Sequence, residues 1–551
     1  MAMNIGGVDV ETVLFPALAA TGGGVITVPA GISAGYFTMG ASNVWFRGEG
    51  KECSILQFVS GGLSNFLIDG GGAAFYQNTH FTDVCFDGNG DALLIALIRA
   101  PGYGTDRWTF ERCWFKNFPL GFAGAQVTGC RFKDCLFTAE GDIVGNAIQL
   151  SEGCHDIEIV GNEFNWISMG CSVEASEIAN ERIRFLRNRV RQDYWAIKPF
   201  NSAQATGVGG TVSYTPTALI DTARNFPLIP FDQLRNMRAM EVLIASNTTN
   251  IGNTLLVDGA ADFPALGPKY GDLVRTAAAW SMVIGVEPGN VTRLVIDGWK
   301  DLVTYLPTTP PIIGAAYTLY RLYIGETDQY VGATQINTTR WRDLLGNTIG
   351  PPPNGTLYEI LGNRASGGIN FEENVQSCII ADNIMHGGWA DQITSRGPRA
   401  VLANNVCNRG QDMGCTLSGE GSVIIGGQYS YNGASGIVIP NGRNMAIIGV
   451  TSVDNNCEFI SGPYGNNLQI EGDRILVANC ISRKVEGNPN LLYGIYVRGL
   501  SPGCWLLDNA IDGFEMQIGG EAGIADAQTR ALFAESLWSY LRFNGEFKIP
   551  S

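Results

Sequence analysis

A short pattern recurs along both halves of this chain, and its period decides the class of fold. The segments NAIQLSEG, MGCSVEAS, YWAIKP, GGINFEEN, ADQITSRG, MGCTLSGEG, SGIVIPNG and CEFISGP all place an apolar residue at the start of a short strand. Anchored on Ile148, Cys171, Trp195, Ile369, Ile393, Cys415, Ile437 and Phe459, the steps are 23, 24, 174, 24, 22, 22 and 22 residues. In GNEF, RNRV, DNIM and NNVC, the residues Asn162, Asn188, Asn383 and Asn405 each precede a further strand. A unit of about 22 residues with two or three short strands, no helical period and an Asn at a fixed turn is one coil of a β-solenoid. Asn suits that turn because it tolerates left-handed φ and its amide bonds to neighbours. A leucine-rich repeat would need LxxLxLxxN, which is missing, and propeller blades need about 40 residues or more. The expected fold is all-β, a right-handed parallel β-helix.

The step of 174 residues is too long for one coil. Residues 199–357 carry none of the 13 cysteines, hold proline clusters such as LPTTPPI and GPPPNG, and have strands of another character. They are expected to form a small β-rich domain inserted in a loop of one coil, as surface loops tolerate. The β-helix then occupies 1–198 and 358–520. The last segment, 521–551, has roughly helical spacing at Ala525, Leu532, Phe533, Leu537 and Leu541. It is expected to be a helical cap on the open end of the solenoid, or a contact between copies.

Composition narrows the function. The chain holds 71 Gly, and only 16% of its residues are charged, against about 25% in an average protein. With 52 acids and 36 bases its net charge is −16, a field that repels phosphate backbones and anionic membranes. No nucleic-acid partner is expected. No run of 18 apolar residues suggests a membrane span. The N-terminus lacks a basic region followed by an apolar one, so no secretory leader is expected. The cysteines show no zinc spacing and sit mostly beside Val, Ile, Leu or Phe, which reads as buried thiols in a chain folded in a reducing compartment.

The opening GGGVITVPAGISAGYFTMGASNVWFRGEGKECSILQF resembles the first coils of pectate-lyase-superfamily β-helices. The matching residues are Gly22 to Gly24, Val28 to Gly31, Asn43 to Val44, Gly48 to Gly50 and Ser54 to Leu56. Within that superfamily the chain looks most like a bacteriophage tailspike or a related capsular polysaccharide depolymerase. Many tailspikes carry an N-terminal virion-binding domain, whereas here the β-helix starts almost at once. The resemblance implies a homotrimer, a bacterial surface polysaccharide as substrate, and a virion-associated or extracellular place of work. The fold alone does not fix the reaction.

Strand side chains alternate, so positions one and three after each anchor point outward. At plus three the chain carries Ser151, Glu174, Lys198, Glu372, Arg396 and Ser418. Glu174, Lys198, Glu372 and Arg396 are expected to form a charged row on four successive coils, with the insertion overhanging it. Such a row can be purely structural, its opposite charges pairing across coils. It can also cut glycans. Glycoside hydrolysis needs one protonated and one ionised carboxyl. Glu372 and Glu174, two coils or roughly 9.6 Å apart on this count, are the expected catalytic pair for endo-glycosidic hydrolysis. Asp412 and Asp391 are the substitutes. Lys198, Arg396, Glu373 and Trp389 are the expected substrate contacts, Trp389 as a face for a sugar ring. The alternatives are a polysaccharide lyase working through Lys198 and Arg396, and a non-catalytic glycan-binding spike. No metal site or cofactor is expected, with Ca²⁺ on Glu174 and Glu372 reserved for the lyase. His80, His155 and His386 do not cluster, and DGNGD at Asp87 to Asp91 reads as a turn.

Overall fold

Short strands in this chain pair in parallel and in register with strands one coil away, which is how a repeat of about 22 residues closes its backbone hydrogen bonds. The computed structural model describes residues 3–520 except 61–63, 71–75, 90, 92, 101–105, 139–144, 166, 175–176, 192–204, 227–235, 303–307, 332, 344–347, 361–366, 389, 411, 457–464, 486–490, 499–503 and 515. The chain divides into two compact units. The first, built from residues 1–139, 143–192 and 365–551, is the expected right-handed parallel β-helix, with about 15 turns.

Its core is a column of repeated side chains. Phe46, Phe81, Phe110 and Phe132 stack with ring centroids 4.7, 5.2 and 5.0 Å apart, and Phe115, Phe137 and Phe164 stack at 4.5 and 4.8 Å. These distances match the spacing of neighbouring strands, so each coil contributes one ring to each column. Beyond Phe185 the corresponding buried positions are Ile380, Leu402, Ile424 and Ile447. Eleven of the twelve described cysteines are buried and free, as expected of small hydrophobes, and Cys53 is exposed.

The asparagines bond across coils as expected, but the left-handed position of each turn is the residue before them: Gly161, Arg187, Asp382 and Asn404 have φ of 68°, 54°, 57° and 52°. The backbone N–H of Asn162 donates to Asn188 Oδ1, that of Asn188 to Asn383 Oδ1, and that of Asn383 to Asn405 Oδ1, at 2.8, 2.8 and 3.2 Å. Each amide also donates to a carbonyl of the coil before, Asn383 Nδ2 reaching Phe185 O at 2.9 Å. All four side chains are buried, so a missing partner leaves polar groups unsatisfied. Asn383→Ala would orphan Asn188 N–H and Phe185 C=O together. It is expected to lower stability by about 2–4 kcal/mol, read as a fall in the denaturant midpoint.

The described helices of this unit lie at the chain start, where the sequence reading places none. Asp9 caps a turn over Val10–Leu14 by accepting from Thr12 N at 2.7 Å. The α-helix Phe15–Thr21 follows, with Pro16 in its first turn and Gly22 as a left-handed C-cap at φ 78°. Phe15 packs edge-on against Phe37 and Phe46, covering the apolar end of the ring column. Residues 521–551, expected to be helical, lie outside the described residues.

Where the insertion begins differs from the sequence count. Cys171 pairs directly with Ile369, Arg191 with His386, and Asn188 bonds directly to Asn383. No coil stands between them. The apolar run Tyr194–Pro199, counted as a coil strand, falls in the second unit and outside the described residues. That run mimics an anchor because Trp195 and Ile197 stand two residues apart, the spacing of inward apolar residues in the true coils.

The second unit comprises residues 140–142 and 193–364. It is antiparallel, centred on the long strands Asn236–Asn247 and Ala316–Val331, which pair along their length, with Leu273–Thr276 and Leu357–Ile360 on their far sides. It has its own cores, one around Leu219, Met237, Trp341 and Tyr358 and another around Leu256, Val274, Leu294 and Leu319.

Candidate functional site

Register fixes the site. Ile148, Cys171, Ile369, Ile393 and Cys415 are partners on successive coils and point into the core. One residue later the side chains turn outward, giving a row of Gln149, Ser172, Asn370, Thr394 and Thr416. Past the strand ends come Glu174, Glu372 and Arg396. Their backbone N–H groups donate to Leu150, Val173 and Phe371 at 2.9, 3.0 and 2.9 Å, so the stack continues through them.

Glu174 and Glu372 therefore sit on adjacent coils, about 4.8 Å apart along the stack rather than twice that. This corrects the two-coil spacing expected from sequence, because the coil counted between them does not exist. The side chains lean away from each other. Glu174 Oε1 accepts from Gln149 Nε2 of the preceding coil at 2.6 Å. Glu372 turns to the following coil, where its Oε2 meets Arg396 Nη1 at 2.9 Å, and its Oε1 accepts from Asn370 Nδ2 at 2.7 Å. The carboxylates expected to act on substrate are thus the same ones that bond across coils.

Asp391 reaches the same row from the opposite strand end. Its Oδ1 accepts from Met413 N at 3.2 Å, and Thr394 Oγ1 donates to its Oδ2 at 3.3 Å. Burial pushes its carboxyl above the ordinary aspartate value, against the pull of bonds from Thr416, Met413 and Thr394 and the Arg396 charge. Desolvation disfavours the charged form, and here it outweighs the donors. Asn370 and Thr394 are register partners, so Glu372 and Asp391 converge from two ends on one pair of stacked side chains. Arg396 influences both. An acid raised by burial at one end of the row and an ion-paired carboxylate at the other offer the contrast of environments that acid and base chemistry uses.

The other expected residues divide. Asp412 lies one residue before the Met413 that donates to Asp391, and its own carbonyl accepts from Ala434 N at 3.2 Å. Glu373 is exposed in the turn after Glu372. Lys198 and Trp389 lie outside the described residues. His386 lies on the 13-stranded sheet, against Asn408, away from this row. Asp87 is buried and takes Lys116 at 3.4 Å and Asn89 N at 2.9 Å, the contacts of a structural turn. Among the described residues no group of three His, Cys, Asp or Glu side chains gathers to hold a metal ion, and no helix is long and apolar enough to cross a membrane. The sequence reading missed the polar row Asn370, Thr394 and Thr416. Its trace was present, since those are the plus-one positions of three consecutive anchors.

No known protein family matches the sequence, and no curated protein does. Solved structures do. The chain is similar to the A-module of mannuronan C-5 epimerase AlgE4 from Azotobacter vinelandii, at 12% identity over 92% of this chain and 91% of that one, with a TM-score of 0.38. It is similar to the Dettilon tailspike protein at 11% identity over 94% and 66%, with a TM-score of 0.40. A third is the catalytic unit of a thermostable GH87 alpha-1,3-glucanase from Streptomyces thermodiastaticus, at 9% identity over 94% and 68%, with a TM-score of 0.36.

Proposed function

We propose that this protein cleaves an extracellular polysaccharide by endo-glycosidic hydrolysis, with Asp391 as general acid and Glu372 as the ionised partner. The observation that carries the reading is the convergence of a burial-raised carboxyl and an ion-paired carboxylate on one outward polar row. The acid protonates the leaving oxygen and the carboxylate activates water or attacks directly. Arg396 positions Glu372, and Glu174 with Gln149 lines the next rung for sugar hydroxyls. The test is digestion of purified capsular and exopolysaccharides with sizing of the products. Shortened chains with ordinary reducing ends support the reading. Products absorbing in the ultraviolet through unsaturated ends would make it a lyase, and binding without shortening would make it an adhesive spike.

The same reading includes assembly as a homotrimer and work on a virion or outside a cell. A second face of the β-helix supports the assembly. In its early coils that face is laced by ion pairs, Arg131 with Glu158 and Lys133 with Glu111, each at 3.0 Å. After Arg184 the same register positions become Ile379, Val401, Val423, Ala446 and Leu476, with Leu186, Ile425 and Ile448 beside them. Ile425 is 42% exposed. A β-sheet face this apolar calls for cover, and a second copy supplies one with the same coil period. Val401→Lys combined with Ile425→Lys is expected to convert trimers to monomers, read by light scattering after size exclusion. An unchanged mass for this variant, or a monomeric parent at micromolar concentration, would discard this face as the contact.

A further inference from the structure

We propose that the second unit carries its own binding groove for an anionic sugar, a uronate-type residue of a glycan. The groove is open, with a volume of about 500 Å³, within the range of small-molecule sites. It lies on three antiparallel strands of that unit. Ala245, Thr318 and Arg275 stand abreast, since Thr318 pairs with both of the others. Ala277 and Ala316 keep the floor low. Tyr320, two residues along from Thr318, shares its face and stands as a wall.

Arg275 is the first reason to assign an anion. It is exposed, and among the described residues it makes no ion pair, in a chain that holds 52 acids to 36 bases. Other arginines of the same unit do pair: Arg238 with Glu359 at 2.5 Å, Arg293 with Glu287 at 3.0 Å and Arg321 with Asp272 at 3.9 Å. An acid bonded to two of the lining residues is turned inward. Asp258 is buried, accepts Tyr317 O–H at 2.8 Å and Ala260 N–H at 2.9 Å, and is bonded to Ser246. Its charge is already satisfied, and it braces Tyr317 and Ser246 at the groove end. The exposed guanidinium of Arg275 in the lining offers a fork to a carboxylate.

Tyr320 is the reason to assign a sugar rather than a bare anion. A partly exposed tyrosine presents a flat apolar ring with a polar edge, which fits the alternation of C–H faces and hydroxyls on a pyranose. The remaining lining of Thr318 and Asn247 is polar, which disfavours a lipid. A single cation in a chain of net charge −16 disfavours a nucleic acid. From the hydrolase reading this inference takes only the ligand class. The groove is lined by residues of the second unit and includes none of the Glu372 row, so by itself it would hold the polymer without cutting it.

The test uses the full chain on an array of immobilised oligouronates, from galacturonate, glucuronate and mannuronate, beside neutral oligomers of the same linkages. The expected result is binding to at least one uronate series at least tenfold tighter than to its neutral counterpart. Arg275→Gln and Tyr320→Ala should each weaken it by tenfold or more with the melting temperature unchanged, and Arg275→Lys should retain part of it. Cleavage of short soluble fragments should survive Arg275→Gln. No preference for uronates, or affinity unmoved by both substitutions, overturns the groove. Uronate binding lost with Arg275→Gln in a protein that cuts no polysaccharide would uphold the groove and discard the hydrolase.

Discussion

Glu372→Gln is expected to reduce polysaccharide cleavage by at least about a thousandfold while leaving the fold and the assembly state intact. The substitution keeps the size of the side chain and its hydrogen bond with Asn370 Nδ2 through the remaining carbonyl oxygen, but removes the charge that Arg396 holds at 2.9 Å. The ion pair is on a partly solvated surface, so its loss should cost under about 1 kcal/mol of stability. A structural pair would therefore show a small change in both stability and activity, whereas a catalytic carboxylate shows a large change in activity alone. Glu174→Gln supplies the internal control. Its carboxyl accepts from Gln149 at 2.6 Å and stands one rung away, so its loss should raise KM with a smaller fall in kcat. Product sizing over time for the two variants beside the parent checks both. Activity retained by Glu372→Gln within tenfold would remove Glu372 from the chemistry.

The row that carries this prediction was partly legible in the sequence, and what was hidden has physical reasons. Coil period and asparagine turns were readable because each is enforced by every neighbouring coil, so errors cannot accumulate without breaking the stack. Glu372 and Arg396 stood out at equal distance from their anchors, and their ion pair follows from register alone. The extra coil between Cys171 and Ile369 was not excluded, since alternation in a six-residue run cannot reveal whether a strand finds a partner. The helix Phe15–Thr21 is two turns long, too short for periodicity to declare, although Asp9, Pro16 and Gly22 mark its ends. Asp391 ranked as a substitute because its environment comes from Met413 and Thr416, residues of the next coil. Burial imposed across coils is a property of packing.

That burial makes opposite predictions for activity and stability at Asp391. Its carboxyl is raised in the folded protein above the ordinary value of 3.8, so the folded state favours the proton. The linked stabilisation is complete below the unfolded value and is lost as pH rises through the raised folded one. At neutral pH the fold bears the cost of a desolvated carboxyl group. Asp391→Asn removes this cost while keeping an acceptor for Met413 N and a donor for the Thr394 and Thr416 hydroxyls, which can reverse their bonds. The melting temperature of the variant should exceed that of the parent at pH 7, and the difference should shrink toward pH 4. Cleavage should move the other way, falling by about 10²- to 10⁴-fold, the usual worth of a general acid. In the parent, the rate should decline as pH rises through the raised value, and that limb should vanish in the variant. Melting scans and initial rates across pH 4 to 9 check both curves. A variant less stable than the parent at pH 7 with activity unchanged would make Asp391 a bracket for Met413 and Thr416 and leave the acid to be found elsewhere on the row.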